Sequence, residues 1–401
     1  MTTTAVDVDR AEPGQDTGPA SDELAWLVDV LGLVENGKPT EYLGRRSVDD
    51  LRLLLPTAPP AAAAAGLLRS AADRGPARAA LGRAARLVAR CGGLRLAPGT
   101  RLILPPFALV EHLAAQLGEP ELTAAVTIGP RRRLRKPVLQ LLTPAGRVVG
   151  YAKVGWSPLT TELVTNERRM LALVEGQLGP RLEAPAVLRD LQWGDGRVVV
   201  ATPLRPRRSA LPRRRPGLAV PEIVSSIAAV DRRDPRPVAE LSLLDEWAAG
   251  GLGEVVDLPR VLDRHGAVAL SVGLWHGDLT PWNIVAGRGS AGVWDWELAG
   301  TGRPVGFDAL HHEFERHRRR AGGGNGEALR RLLVDTDVEM VLSPFEAGRT
   351  PAGRDAVVDL YLCELIAREL RLDGQRWTDP SVGGLALLAN TALDRRLGSR
   401  R

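Results

Sequence analysis

The segment His276-Gly-Asp-Leu-Thr-Pro-Trp-Asn283, followed by Asp295-Trp-Glu297, constrains this chain more than any other stretch. Two short apolar runs, Ile284-Val-Ala286 and Val293-Trp294, lie between its polar residues. Read as strand, turn and strand, they form a hairpin that presents Asp278, Asn283 and Asp295 at one end. Three such side chains offer a carboxylate to receive a hydroxyl proton, and an amide with a second carboxylate to hold a hard divalent cation. Phosphoryl transfer from a nucleotide needs a set of this kind.

The ordered set His276-Gly-Asp-x4-Asn283, Asp295-Trp-Glu297 and Gly302-Arg-Pro-Val-Gly-Phe-Asp308 resembles the catalytic and metal-binding segments of the aminoglycoside phosphotransferase and choline kinase group. These are relatives of the protein kinases that carry His-Gly-Asp in place of His-Arg-Asp. The resemblance covers about residues 122–372 and implies an α+β, bilobal protein-kinase-like fold, ATP or GTP as donor and a hydroxylated small molecule as acceptor. It implies Asp278 as catalytic base, Asn283 and Asp295 as Mg²⁺ ligands, and Asp308 as a support holding the catalytic loop from behind. His276 is expected to brace the loop through a backbone hydrogen bond, Glu297 to be structural, and Trp282 and Trp296 to pack around the hairpin. The acceptor is not legible: sugars, aminoglycosides, amino alcohols and related metabolites all fit. Arg316, Arg318, Arg319 and Arg320 follow Asp308 where a polycationic acceptor would want acids, which argues against drug resistance as the main role.

Of the 53 basic residues only Lys38, Lys136 and Lys153 are lysine, so a lysine within an apolar strand asks for a reason based on its compact charge. Lys153 stands in Val148-Val-Gly-Tyr-Ala-Lys-Val154, and Glu167 follows in an expected helix. A strand lysine held by a helix glutamate is how kinase-like folds aim an ammonium at the α and β phosphates. Glu162, near the helix start, is the rival partner. Between the first two strands runs Gly129-Pro-Arg-Arg-Arg-Leu-Arg-Lys136, where several glycines would be expected to approach a nucleotide. Either its arginines contact phosphate instead, or the loop is remote and solvated.

Residues 1–20, rich in Thr, Asp, Gly and Pro, read as a disordered tail. Residues 21–118 read as a helical or mixed accessory region, with a helix over 106–117 stopped by Gly118. The small lobe is expected over 119–204: strands at 123–129, 137–142 and 147–154, a helix over 160–178, then a hairpin of 186–191 and 197–204. The arginine- and proline-rich stretch 205–216 opens a helical large lobe over 205–401, with helices at 221–230, 243–249, 261–269, 307–320, 328–334 and 354–372 beside the catalytic hairpin.

Composition excludes little but is consistent. No apolar run approaches the roughly 18 residues that span a bilayer, and the N-terminus lacks a signal pattern, so a cytoplasmic protein without membrane insertion is expected. Cys91 and Cys363 are expected to be buried and inert, and the six histidines show no zinc spacing. The arginine clusters suggest nucleic acid, but 4% aromatic content leaves little stacking capacity, so no nucleic-acid partner is expected. The alternative to an active kinase is a catalytically silent, nucleotide-binding or regulatory relative, suggested by the glycine-poor loop.

Overall fold

The structure, a computed structural model, describes residues 23–45, 51–67, 75–129, 133–204, 217–287, 289–322, 324–336, 338–373 and 384–398. The expected tail at 1–20, the connection at 205–216 and residues 130–132 of the basic loop lie outside them. The chain divides into two compact units, 1–165 with 186–203, and 166–185 with 204–401.

The first unit contains α1 (Glu23–Leu31), β1 (Thr40–Arg45), β2 (Leu53–Pro56), α2 (Pro60–Gly66), α3 (Gly75–Arg90), β3 (Thr100–Leu104) and α4 (Ala108–Leu117). There follow β4 (Thr123–Ile128), β5 (Pro137–Leu142), β6 (Val148–Gly155) and α5 (Pro158–Val174), which passes into the second unit at Asn166. After β7 (Leu182–Glu183), which belongs to the second unit, β8 (Val187–Trp193) and β9 (Gly196–Ala201) complete the first. The order of three strands, a helix and a hairpin is the one the sequence predicts.

The accessory region 21–118 does not stand apart from this sheet. Its strands β1, β2 and β3 extend the sheet to eight, in the order β3-β1-β2-β4-β5-β6-β9-β8, each neighbouring pair being antiparallel. Alternation along each strand decides which layer it feeds. Val126, Leu139 and Ala152 point to one face and are covered by Leu27 and Leu31 of α1 with Leu109 and Leu113 of α4. Ala125 and Leu142 point to the other, where the small side chains Ala62 and Ala65 let α2 lie close. Gln140 is buried there and its amide donates to the Ala65 carbonyl at 3.1 Å, satisfying the end of α2. α4 ends at Gly118 in the left-handed conformation, φ 66°, as its position after the apolar run predicts.

α1 also grips the basic loop. The Arg135 guanidinium lies 3.6 Å over the Trp26 ring and pairs with the buried Glu23. The Trp156 indole N–H donates to the Arg135 carbonyl at 2.7 Å and packs edge-on against Trp26. Ser157 caps α5 by accepting the Thr160 N–H, with Pro158 at the first helical position.

The second unit contains α6 (Val220–Ala228), β10 (Arg233–Pro237), α7 (Leu243–Ala249), α8 (Leu258–His265) and β11 (Ala269–Trp275). The hairpin β12 (Ile284–Ala286) and β13 (Ala291–Val293) is followed by β14 (Gly300–Pro304), α9 (Phe307–Arg320), α10 (Asn325–Arg330), α11 (Val338–Leu342), α12 (Pro351–Asp373) and α13 (Gly384–Gly398). The hairpin predicted from the motif pairs Ile284 with Val293, and β7 joins β13 in parallel. Three corrections apply. The helix expected to run to 269 ends at His265, and Ala269 instead starts β11, the centre of a β10-β11-β14 sheet. β11 is buried at six successive residues, so it carries no alternation to read, while β10 is Arg233-Asp-Pro-Arg-Pro237. Helix α13 went unpredicted; Arg396 on it and His265 on α8 both bind the buried carboxylate of Asp359 on α12. Cys91 is exposed, because it follows α3 on its solvent side, whereas Cys363 is buried.

If residues 21–118 are part of the sheet's core, Leu27→Ala, at a fully buried position, destabilises the protein by about 2–5 kcal/mol. Denaturant unfolding followed by circular dichroism measures it. A loss well under 1 kcal/mol would show that α1 is a detachable appendage.

Candidate active site

Strand β11 carries the chain directly into His276, and β14 pairs with it just beyond Leu298, with Trp275 opposite Gly300. The turn between them requires Gly277: its φ is 79°, and a Cβ there would collide with the Leu298 carbonyl oxygen. Asp308, near the start of α9 and 2% exposed, accepts the N–H of His276 at 2.7 Å and of Gly277 at 3.1 Å. Burial raises its pKa to about 7, against the two N–H donors.

The His276 ring is wholly buried. Its Nε2 lies 3.0 Å from the Trp294 carbonyl, its Nδ1 accepts the Asp278 N–H at 3.3 Å, and Trp296 packs edge-on at 4.7 Å. These partners assign the neutral Nε2–H tautomer, and burial holds the pKa down at about 4. The imidazole thus joins the loop to the end of the hairpin.

Both carboxylate oxygens of Asp278 are engaged. Asn283 donates from Nδ2 to Oδ2 at 3.0 Å and to the Asp278 carbonyl at 2.9 Å, and His311 Nε2 lies 3.3 Å from Oδ1. Asp278 retains 29% side-chain exposure, while His311 has 0% and Asn283 3%. Burial alone would raise its pKa, but the His311 hydrogen bond and the Arg368 charge outweigh it and hold the carboxyl below its ordinary value. Arg368 also donates to the Gly277 carbonyl at 2.8 Å.

Asn283 accepts the Trp294 N–H through its carbonyl at 3.1 Å, so the hairpin sets it beside the residue preceding Asp295. Asp295 has φ 71°, the one non-glycine with positive φ among the described residues. Its carboxylate joins Glu167 and Glu297: one oxygen of each lies within 4.8 Å of the others. Glu167 is buried and its rival Glu162 exposed. Asn166 fixes this end of α5 by donating from Nδ2 to the carbonyls of Glu297 and Ala299, both at 2.9 Å. The donors are all oxygens, which suits a hard cation such as Mg²⁺ rather than a soft one. With Asn283 Nδ2 committed to Asp278, its Oδ1 is the amide atom able to ligate a cation.

Direct hydrogen bonds therefore join His276, Asp278, Asn283 and Asp308, and Glu167 stands with Asp295. Lys153 belongs to the first unit, half-buried on β6 between β5 and β9, opposite Val138 and Val199. Of the basic loop's cations, Arg135 is committed to Glu23 and Trp26, Lys136 is buried and Arg133 exposed. Sequence reasoning missed Asn166, His311, Tyr361 and Arg368. His311 reaches the Asp278 carboxylate and His312 the Leu279 carbonyl, at 3.1 Å. No local signal announces such contacts.

No family model matches this chain, and no curated protein matches it. Among solved structures, a thermostable mutant of aminoglycoside phosphotransferase APH(4)-Ia in ternary complex with ADP and hygromycin B is similar at 14% identity and a TM-score of 0.44, over 73% of this chain and 99% of that one. The GDP complex of wild-type aminoglycoside 2'-phosphotransferase-IIIa is similar at 13% identity and 0.39, over 72% and 97%. The kinase domain of PknI from Mycobacterium tuberculosis is similar at 13% and 0.21, over 69% and 96%.

The buried imidazoles predict the pH dependence of stability. His276 and His311 have folded pKa values of about 4, whereas an unfolded histidine titrates near 6.5, at about its reference value. As pH falls from about 6.5 to 4 the unfolded chain takes up protons that the folded one refuses, so both groups lose stability on acidification. Asp308, raised to about 7, acts oppositely: its contribution is present in acid and is lost as pH rises through its folded value. His312 and His317, also lowered by burial, add to the first effect and Glu315, raised by burial, to the second, so the thermal midpoint falls between pH 6.5 and 4.5, and His276→Gln makes that fall shallower. Identical slopes in the two proteins would contradict a neutral, buried His276.

Proposed function

We propose that the protein is a phosphotransferase that moves the γ-phosphate of ATP or GTP to a hydroxyl of a small molecule, a sugar, aminoglycoside, amino alcohol or related metabolite. One observation carries this reading. Asp278 is an ionised carboxylate open to solvent, yet buried partners fix both its oxygens. A general base must accept a proton from an incoming hydroxyl in one defined direction, and a carboxylate so held is suited to it.

In this reading Asp278 accepts the acceptor's hydroxyl proton as that oxygen attacks phosphorus. Asn283 and Asp295 hold Mg²⁺, with Glu297 and Glu167 close to Asp295. The ion, when bound, would neutralise charge on the phosphates. Lys153 is assigned to the α and β phosphates with Glu167 as its carboxylate partner, the role that its half-buried position on an apolar strand suits. His276 and Asp308 hold the loop without touching substrate. On α9, Arg316 pairs with Glu313 and Arg318 with Glu315, so these arginines are engaged within their own helix.

Transfer of labelled γ-phosphate from Mg-ATP and Mg-GTP to a panel of hydroxylated acceptors tests the proposal. Asp278→Asn is expected to lower kcat about 10²- to 10⁴-fold with nucleotide binding retained. Asp295→Asn should weaken Mg-nucleotide binding, read by calorimetry, with little loss of thermal stability. Equal turnover by wild type and Asp278→Asn would remove the proposed base. Stabilisation by Mg-nucleotide without transfer to any acceptor would favour a silent binding protein.

A further inference from the structure

The Asp278 carboxylate is held from behind by a residue pair that the motif does not contain. His311 lies one turn into α9 and is fully buried, with Nε2 3.3 Å from Asp278 Oδ1 and Nδ1 3.0 Å from the hydroxyl of Tyr361 on α12. Tyr361 is 1% exposed and packs edge-on against Phe307 and His311. Seven residues further along α12, on the same face, Arg368 holds the Gly277 carbonyl at 2.8 Å. The helix therefore reaches the loop twice: directly at its backbone, and through His311 at its carboxylate.

The chemistry of the two contacts fixes their direction. An ionised carboxylate only accepts, so His311 Nε2 carries a hydrogen toward Asp278. Burial keeps the ring neutral, with its pKa down at about 4, which leaves Nδ1 a lone pair that the Tyr361 O–H satisfies by donating. Without that hydroxyl the two neutral tautomers compete. In the wrong one, an Nε2 lone pair faces the Asp278 oxygen and repels it.

We propose that Tyr361 and His311 are positioning residues for phosphoryl transfer: the Tyr361 hydroxyl selects the His311 tautomer, and the His311 Nε2–H fixes the direction in which Asp278 presents its oxygens. The inference rests on the reading of Asp278 as the base. No proton moves along the pair. The acceptor's proton stays on Asp278 until product leaves, while His311 and Tyr361 keep theirs throughout.

Two readouts on the full-length protein test it. In ¹⁵N-histidine-labelled protein, imidazole nitrogen NMR is expected to show His311 as a single neutral Nε2–H tautomer. Tyr361→Phe should mix the tautomers, and Asp278→Ala should shift the Nε2 resonance. The second readout is phosphate release from Mg-ATP, and transfer to any acceptor found. Tyr361→Phe should lower kcat about tenfold, the scale of one lost hydrogen bond. His311→Leu should lower it about 100-fold, as for a base displaced by about 1 Å. Neither change should move KM for Mg-ATP more than about twofold, because uniform binding is untouched. His311→Gln, whose amide N–H can replace Nε2–H, should recover most of the loss, and adding Tyr361→Phe to it should cost nothing further.

Ring nitrogen signals indifferent to both Tyr361→Phe and Asp278→Ala would overturn the proposal whatever the turnover. So would an unchanged kcat in His311→Leu and Tyr361→Phe alongside an inactive Asp278→Ala, an outcome that leaves the base assignment standing. Full turnover by Asp278→Ala with the expected NMR shifts would instead remove the base and with it the catalytic purpose of the pair.

Discussion

The proposed active site depends on the Asp308 carboxylate accepting the two successive N–H groups of His276 and Gly277. Buried backbone donors must find partners, and in a turn at φ 79° they cannot find them in a strand ladder. By supplying both from the start of α9, Asp308 lets the chain leave β11 sharply and present Asp278 to solvent. The other contacts build on that bend: His276 ties it to Trp294, Asn283 closes it from the hairpin, and Arg368 holds its outer carbonyl. A carboxylate whose orientation is fixed by buried neighbours loses little freedom when a reactant arrives, and that pre-organisation is the main thing a protein can supply to phosphoryl transfer.

What could be read from the sequence follows from where the contacts fall along it. The hairpin was legible because Asn283, Asp295 and the strands between them are neighbours in the chain. So was the β4–β5–β6 meander, whose turn at Thr143–Gly146 is closed by the Thr143 and Gly146 N–H groups. The α+β character holds, one unit being built on an antiparallel sheet and the other mainly helical. Strand β11 hid because burial on both faces erases alternation, and β1 because Thr40-Glu-Tyr-Leu-Gly-Arg45 has no clear period. His311, Tyr361 and Arg368 were invisible for another reason: His311 and Arg368 meet the loop across gaps of 33 and 91 residues, Tyr361 meets His311 across 50, and no spacing rule spans such distances.

The N-terminal region changes meaning in the same way. Read alone, it is a helical or mixed accessory region. In the fold it covers both faces of the sheet that carries Lys153, and α1 clamps Arg135 by ion pair and ring contact. A desolvated cation–π contact of this kind stabilises by up to about 2 kcal/mol. Arg135, at the end of this glycine-poor stretch, is therefore held by a neighbouring helix.

Asp295 carries one more implication. Its backbone sits at φ 71° and ψ 58°, a conformation in which an L-residue is disfavoured by a side chain that glycine lacks. Replacing it by glycine would ease the main chain and delete the oxygen donor together. An acid at that position therefore marks a place where folding comfort and the proposed chemistry pull against each other.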